Sequence, residues 1–329
     1  MKTNLTLIRN IIQIAFALFL LYLGVQFYFF VLHFETGGST PLVQRPPGVE
    51  GFLPISALMS FKLFVTTGFI DPIHPAALFI FIAILVTSFF FKKGFCSWLC
   101  PIGTISEGCN RLGIMLFGRT FKIPKLLDYP LMSLKYLMLG FFVFVIFFQM
   151  NNFIIYAFLN GNYNKIADVK MLYFFTNLSL TAAIVLSILF LLSILFQNFW
   201  CRYLCPYGAL LGVISVFSPT KVTRNESSCI NCGACDRACG NRVNVSSCQD
   251  VSSVECTGCL SCIEACPKED ALKLKFIGIK AFSPKVYTVG LLIVFFGIIL
   301  FAKATGNWET NITYEEYMWL IEHADYFNH

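Results

Sequence analysis

Five apolar runs, each near the roughly 20 residues that a helix needs to cross a bilayer, constrain this chain more than any other feature. They are IIQIAFALFLLYLGVQFYFFVL (11–32), AALFIFIAILVTSFFF (76–91), PLMSLKYLMLGFFVFVIFFQM (130–150), NLSLTAAIVLSILFLLSILFQNFW (177–200) and VYTVGLLIVFFGIILFA (286–302). The second and fifth are short, and flanking residues complete them, the second to about 76–95. Only 13% of the 329 residues are charged, about half the roughly 25% usual for soluble domains. The first run follows Lys2 and Arg9, is too long for a signal peptide and lacks an Ala-x-Ala exit, so it reads as an uncleaved anchor. The pieces PISALMSFKLFVTTGFI (54–70) and FIIYAF (153–158) are interrupted or too short and read as re-entrant or interface-lying segments.

With five spans, Lys and Arg sort to one side. The N-terminal end, the stretch from 92 into the third helix, and 202–285 hold 2, 7 and 10 of them; the opposite segments hold Arg45, Lys62, Lys165, Lys170 and Lys303. Such an excess marks the cytoplasmic face, which places the N-terminus inside and the C-terminus outside. The net charge of +6 is then an orientation signal, and nucleic acid is not the expected partner. All fourteen cysteines fall at or beyond the cytoplasmic helix ends, where thiols stay reduced, so metal ligation or thiol chemistry is expected of them.

After Ser218-Pro219 the composition changes from Phe, Leu and Ile to Asn, Ser, Gly and Cys, and it reverts near Val286. Inside stand CINCGACDRACG and CTGCLSCIEACP, both spaced C-x2-C-x2-C-x3-C. Two such runs bind two [4Fe-4S] clusters in bacterial ferredoxins, the fourth Cys of each run ligating the other cluster. One cluster is therefore assigned Cys229, Cys232, Cys235 and Cys266, the other Cys256, Cys259, Cys262 and Cys239. Zinc is the alternative for CxxC pairs, but the doubled spacing over eight cysteines favours clusters. Pro267 follows the second run, whereas Gly240 replaces that proline in the first, which predicts a looser turn there. Cys248 has no partner at motif spacing and reads as a buried inert thiol.

FCSWLCPIG (95–103) returns 105 positions later as WCRYLCPYG (200–208). Each copy follows a helix running inward, so the chain carries an internal duplication. Cys96 and Cys100 are i and i+4, on one face of a helical end, as are Cys201 and Cys205. Pro101 and Pro206 start a new first turn. Pseudo-twofold packing of the halves would gather four thiols at one point, the number a cluster requires. Helix packing by small reduced thiols, and a dithiol cycling with a disulfide, are the alternatives. Cys109 matches nothing in the second copy.

Over residues 75–275 these motifs in combination resemble a known family of membrane-bound polyferredoxins with two CxxxCP motifs and two ferredoxin runs. Its members include the quinol-dehydrogenase membrane subunit serving periplasmic nitrate reductase, the electron donor and regulator of nitrous-oxide reductase, and a cytochrome-oxidase assembly protein. The resemblance implies a multi-pass protein of the bacterial inner membrane that moves electrons between the quinone pool and partner redox proteins, as a subunit of a larger complex. The extracytoplasmic flavin-bearing domain of the nitrous-oxide type is absent from this sequence.

The expected architecture is a membrane α-helical bundle of about five transmembrane helices with an inserted cytoplasmic two-cluster ferredoxin-like α+β domain. Residues 1–218 form the duplicated membrane region, 219–280 the ferredoxin domain, and 281–329 the fifth helix and outer tail. Histidines number four, His33, His74, His323 and His329, all expected outside. A stacked transmembrane haem pair is thereby excluded, and a single outer haem on His33 and His74 is the one arrangement left. For a quinone, the best combination of apolar slot and proton acceptor is Lys62 with Asp71 and His74 of GFIDPIHPA (68–76), against a plain Asp-Pro/His-Pro turn. The acidic, aromatic tail 303–329 reads as a docking segment or one lying on the membrane. Electron transfer is the expected function; the alternative is a metal-delivery or assembly factor whose CxxxCP thiols hand over a soft metal such as copper.

Overall fold

The computed structural model describes residues 4–327 except Glu269 and Gly278; Lys2 and His329 lie outside the described residues. In chain order the α-helices are α1 (Leu5–Glu35), α2 (Pro54–Thr67), α3 (Pro75–Phe90), α4 (Gly94–Trp98), α5 (Pro101–Phe117), α6 (Lys125–Phe144), α7 (Asn152–Leu159), α8 (Asn162–Lys165), α9 (Ala167–Thr176), α10 (Leu180–Leu195), α11 (Pro206–Val216), α12 (Ala234–Arg237), α13 (Ser261–Glu264), α14 (Pro284–Ala304) and α15 (Tyr314–Glu322). Three strands, β1 (Thr220–Arg224), β2 (Leu272–Phe276) and β3 (Ile279–Phe282), form an antiparallel sheet in that order. Two compact units result: Met1–Ala17, Ile84–Leu139 and Leu186–Phe295 make one, and Leu18–Ala83, Gly140–Val185 and Phe296–His329 the other. Residues 219–280 fall within the first of these.

Several helices are apolar enough for a membrane. By length and composition α1, Leu126–Gln149 and α14 each suffice alone, and α9 with α10 adds a fourth if that pair, bent by 80°, is one span. The bend has a local cause, because Ser179 Oγ accepts from the N–H of Ala182 and starts a new helix. At 16 residues α3 is shorter than a full span. It is apolar all round, and Ala76, Ala77, Leu78, Phe79, Ile80, Phe81, Ala83 and Ile84 are all buried, as expected of a helix enclosed by protein.

In the second unit, the two pieces read as re-entrant or interface-lying form α2 and α7. Met59 and Leu63 of α2 pack with Ile155 and Leu159 of α7 and with Ile146. Tyr317, Leu320 and Ile321 of α15 are buried with Phe27, Phe30, Val31 and Phe34 of α1, so the apolar face of this amphipathic helix is used within the chain. Nearby, Arg45 donates to Asp168 Oδ2 through Nε (3.0 Å) and Nη2 (2.6 Å), and through Nη1 to Glu50 Oε1 at 2.8 Å. Glu50 Oε2 accepts the N–H of Ala77 in the first turn of α3, where the helix dipole favours an anion.

In the first unit, β2 reads Leu-Lys-Leu-Lys-Phe, with Leu272 and Leu274 buried and Lys273 exposed. That period of two sets Leu274 opposite buried Val222 of β1, and the apolar face of this ladder backs the cysteine loops.

Candidate metal centres

The two C-x2-C runs fold as copies of one turn. Asn231 and Gly233 in the first, and Gly258 and Leu260 in the second, occupy the third and fifth positions, and all four have left-handed backbone, with φ of 49°, 65°, 61° and 62°. For leucine this conformation is an outlier, and full burial of Leu260 holds it. Short helices α12 and α13 follow, each carrying the third cysteine. One cavity is lined by Cys229, Cys232, Cys235 and Cys266, a second by Cys239, Cys256, Cys259 and Cys262. The fourth cysteine of each run thus lies with the first three of the other. Among the described residues no three His, Cys, Asp or Glu side chains converge on a point that would suit a single ion. The donor set of each cavity, three thiolates of one run and the fourth of the other, is the one that a [4Fe-4S] cluster takes in two-cluster ferredoxins. Burial is the first cause that pushes the Cys239 thiol up, to about 11, and ligation would displace its proton.

At Gly240, where proline was expected, an added Cβ would stand 2.7 Å from Gln197 Nε2. The predicted looseness is taken up by contacts: Asn198 Nδ2 donates to Asn241 Oδ1 at 2.9 Å, and Arg242 Nη2 to the Phe121 carbonyl at 3.3 Å. Cys248 is half-buried and not fully enclosed, its Sγ 3.3 Å from the Asn244 carbonyl. Cys109, on α5, is the buried thiol.

The CxxxCP copies also share a backbone. Cys100 N–H donates to Phe95 O (2.9 Å) and Cys205 N–H to Trp200 O (3.0 Å), wide i→i−5 turns in both. Each second cysteine is extended and caps the helix that its proline begins, α5 or α11. Cys205 Sγ accepts the N–H of Gly208 at 3.2 Å. The four thiols act on one another electrostatically: Cys201 with Cys100, Cys205 and Cys96, and Cys96 with Cys100 and Cys205. Burial, ahead of these mutual repulsions, raises Cys96 and Cys201, and it raises Cys100 to about 11. The first copy is strapped to the second C-x2-C loop, since Ser97 Oγ donates to Thr257 O (2.7 Å) and the enclosed Trp98 indole to Gly258 O (3.1 Å).

The motif glycine has a steric reason in the first copy. A Cβ on Gly103 would meet the Cys96 carbonyl at 2.2 Å, while on Gly208 it would stay 3.4 Å from the Cys201 carbonyl. Gly103→Ala is therefore expected to displace Cys96 at a cost of about 1–3 kcal/mol and to lower iron content, with Gly208→Ala close to wild type. Iron analysis and thermal unfolding of the two variants would show the asymmetry or its absence.

The residues singled out for a quinone are each held by contacts within the second unit. Lys62 Nζ donates to the carbonyls of Ile146 (2.9 Å), Phe147 (3.3 Å) and Met150, closing the π-helical end Val145–Gln149 that follows α6. Asp71 accepts from the N–H groups of Ile73 (3.0 Å) and His74 (3.4 Å) in the turn before α3. His74 Nε2 lies 2.7 Å from the Asn164 carbonyl and Nδ1 3.4 Å from Glu50 Oε1. Burial opposes its protonation, yet Glu50 outweighs burial and His74 is raised above the usual histidine value. Of the haem candidates, His33 bonds the Thr40 carbonyl and, at 3.0 Å, the Tyr314 hydroxyl. Arg45, Glu50 and Asp168, and in the first unit Lys135 and Glu255, did not emerge from the sequence. Lys135 carried a signal, being an ionisable residue within an apolar run.

A family model described as a 4Fe-4S binding domain matches residues 73–124 and 178–225, which are the two helix-and-CxxxCP units and not the C-x2-C runs. The chain is 40% identical over 332 residues to "putative electron transport protein YccM" of Escherichia coli (strain K12), across 99% of this chain and 93% of that protein. It is similar to "ferredoxin-type protein NapH" of the same organism, 23% identical over 258 residues, 75% of this chain and 81% of that one. It is also similar to "protein NirI" of Paracoccus denitrificans (strain Pd 1222), 26% identical over 231 residues, 68% of this chain and 33% of that one. No solved structure matches.

Proposed function

Because the chain belongs to the family of membrane ferredoxin-type electron-transport proteins with 4Fe-4S domains, we propose that it passes electrons between the quinol pool and partner redox proteins. The observation that carries this reading is the pair of cavities, each lined by three cysteines of one run and the fourth of the other. Cys229, Cys232, Cys235 and Cys266 would hold one [4Fe-4S] cluster, and Cys239, Cys256, Cys259 and Cys262 the second. Cys96, Cys100, Cys201 and Cys205 would share a third centre, a reading supported by the match of the 4Fe-4S model to both CxxxCP units. Such clusters supply one-electron transfer at potentials set by burial, hydrogen bonds and charge.

The chain's own part is to position these sites. Ser97 and Trp98 bind the first CxxxCP segment to the loop of Thr257 and Gly258. A third centre would thus stand beside the second cluster within one compact unit. In this reading five helices cross the bacterial inner membrane, and the Lys and Arg distribution puts the ferredoxin segment in the cytoplasm and the tail outside. Asp71 and His74, which share the turn before α3, are taken as the proton-accepting side of a quinone site. Lys62, whose ammonium donates to the carbonyls of Ile146, Phe147 and Met150, is the third residue of that reading. The protein works with redox partners as the quinol-linked subunit of a larger electron-transfer complex.

The test is anaerobic reconstitution into vesicles containing a quinol or quinone, with cluster oxidation state followed by visible absorbance and EPR. Electron exchange with a quinone is expected. Loaded clusters inert to every quinone tried would sink the quinol reading.

A further inference from the structure

Lys135 sits in α6 with no exposure at all, within the apolar stretch Leu131–Leu139. Burying an ammonium costs several kcal/mol unless opposite charge is close by. Its Nζ donates to Glu255 Oε1 at 2.7 Å, and Lys93, also buried, places Nζ 3.8 Å from the other oxygen of the same carboxylate. The Tyr136 hydroxyl adds a contact to Glu255 Oε1 at 3.5 Å. Two ammonium groups therefore share one carboxylate, and one buried positive charge is left over. Arg202, inside the second CxxxCP motif, adds to the excess, because its partner Asp128 is shared with Arg242.

The surplus charge stands beside the second CxxxCP copy, since the Gly208 N–H donates to Cys205 Sγ at 3.2 Å and Lys93 reaches the carbonyl of the same glycine. Lys93 precedes the first motif in sequence, yet its Nζ reaches 3.5 Å from the carbonyl of Gly208, the glycine that ends the second. Both copies thus meet the same cation. A cluster on four thiolates is anionic and gains one further negative charge on reduction, so fixed cations beside it favour the reduced state.

We propose that Lys93 and Lys135 are the counter-charges of the CxxxCP centre and raise its reduction potential, while Glu255, the residue before the ligand Cys256, opposes them and links that centre to the neighbouring cluster. The proposal rests on the reading that Cys96, Cys100, Cys201 and Cys205 hold a cluster. All three groups act through charge as positioning residues, without contact with a substrate.

Anaerobic potentiometric titration of the full-length protein, read by EPR, tests this by sign. Lys135→Gln and Lys93→Gln should each lower the midpoint of one centre, changing its oxidised-to-reduced ratio at fixed potential by about tenfold, equivalent to 59 mV for a one-electron couple. Lys135→Arg should restore it, and Glu255→Gln should move it the opposite way. A variant damaged in folding would not yield shifts of opposite sign, and if Lys135→Gln fails to assemble, Lys93→Gln and Glu255→Gln carry the same comparison. A third signal that is unmoved by the lysine variants, or moved the same way by all of them, overturns the proposal. Failure of the underlying reading looks different: wild-type protein with full ferredoxin signals has no third centre, and the proposal falls with it.

Discussion

Anaerobically purified protein is expected to carry about twelve irons per chain, four for each of three clusters, and the variants Cys100→Ser and Cys205→Ser about eight. Either single substitution should remove the third centre, because each CxxxCP copy contributes two ligands and the four thiols interact across the copies. The ferredoxin signals should persist in both variants, since the cavities of Cys229, Cys232, Cys235 and Cys266 and of Cys239, Cys256, Cys259 and Cys262 contain no CxxxCP residue. Cross-ligation gives a sharper form of the same experiment. Cys266→Ser should impair the cluster held by the first run, although Cys266 belongs to the second run in sequence. Wild-type protein with about eight irons and copper bound to the CxxxCP thiols would instead favour the metal-delivery alternative, in keeping with the affinity of soft thiolates for Cu(I).

Arg45→Met is expected to destabilise the second unit by on the order of 3–5 kcal/mol, the range for breaking a buried ion pair by removing one partner. Arg45 is the cation for two carboxylates, Glu50 and Asp168, both essentially without exposure. Replacing both carboxylates as well, with Glu50→Gln and Asp168→Asn, should recover part of the loss, because no uncompensated charge then remains. Thermal unfolding in detergent would compare the variants; an Arg45→Met protein as stable as wild type would refute the argument. The network also predicts a pH trend. His74 has a raised folded-state value owing to Glu50, so its contribution is fully present below the unfolded value of about 6.5 and fades as pH rises through the folded one. His74→Gln should flatten that dependence.

Much of the candidate site was legible because cysteine spacing is a short-range signal. Cysteines three positions apart share a turn with left-handed backbone at its third and fifth positions, and both C-x2-C runs fold in that way. The same holds for the duplicated CxxxCP, whose wide turn and proline-initiated helix recur in each copy. Apolar run length likewise marked α1 and α14 as spans. Where a run breaks was harder to see: the bend between α9 and α10 depends on Ser179 capping a new helix inside an otherwise apolar stretch.

What only the tertiary structure decided is where buried charge goes. Lys62 looked available for a substrate until three carbonyls 84 to 88 positions away proved to occupy it. Asp168 meets Arg45 at a separation of 123 residues, and Glu255 meets Lys135 at 120. An ion pair is a matter of a few ångströms between side chains, and no local window of sequence encodes a distance between segments so far apart. The tail obeys the same rule: the amphipathic pattern of α15 announced a face needing cover, and packing alone determined that α1 provides it. Local spacing thus specified which atoms can bind a cluster, while the long-range packing of a few buried cations and carboxylates set the electrostatic field in which such a cluster would work.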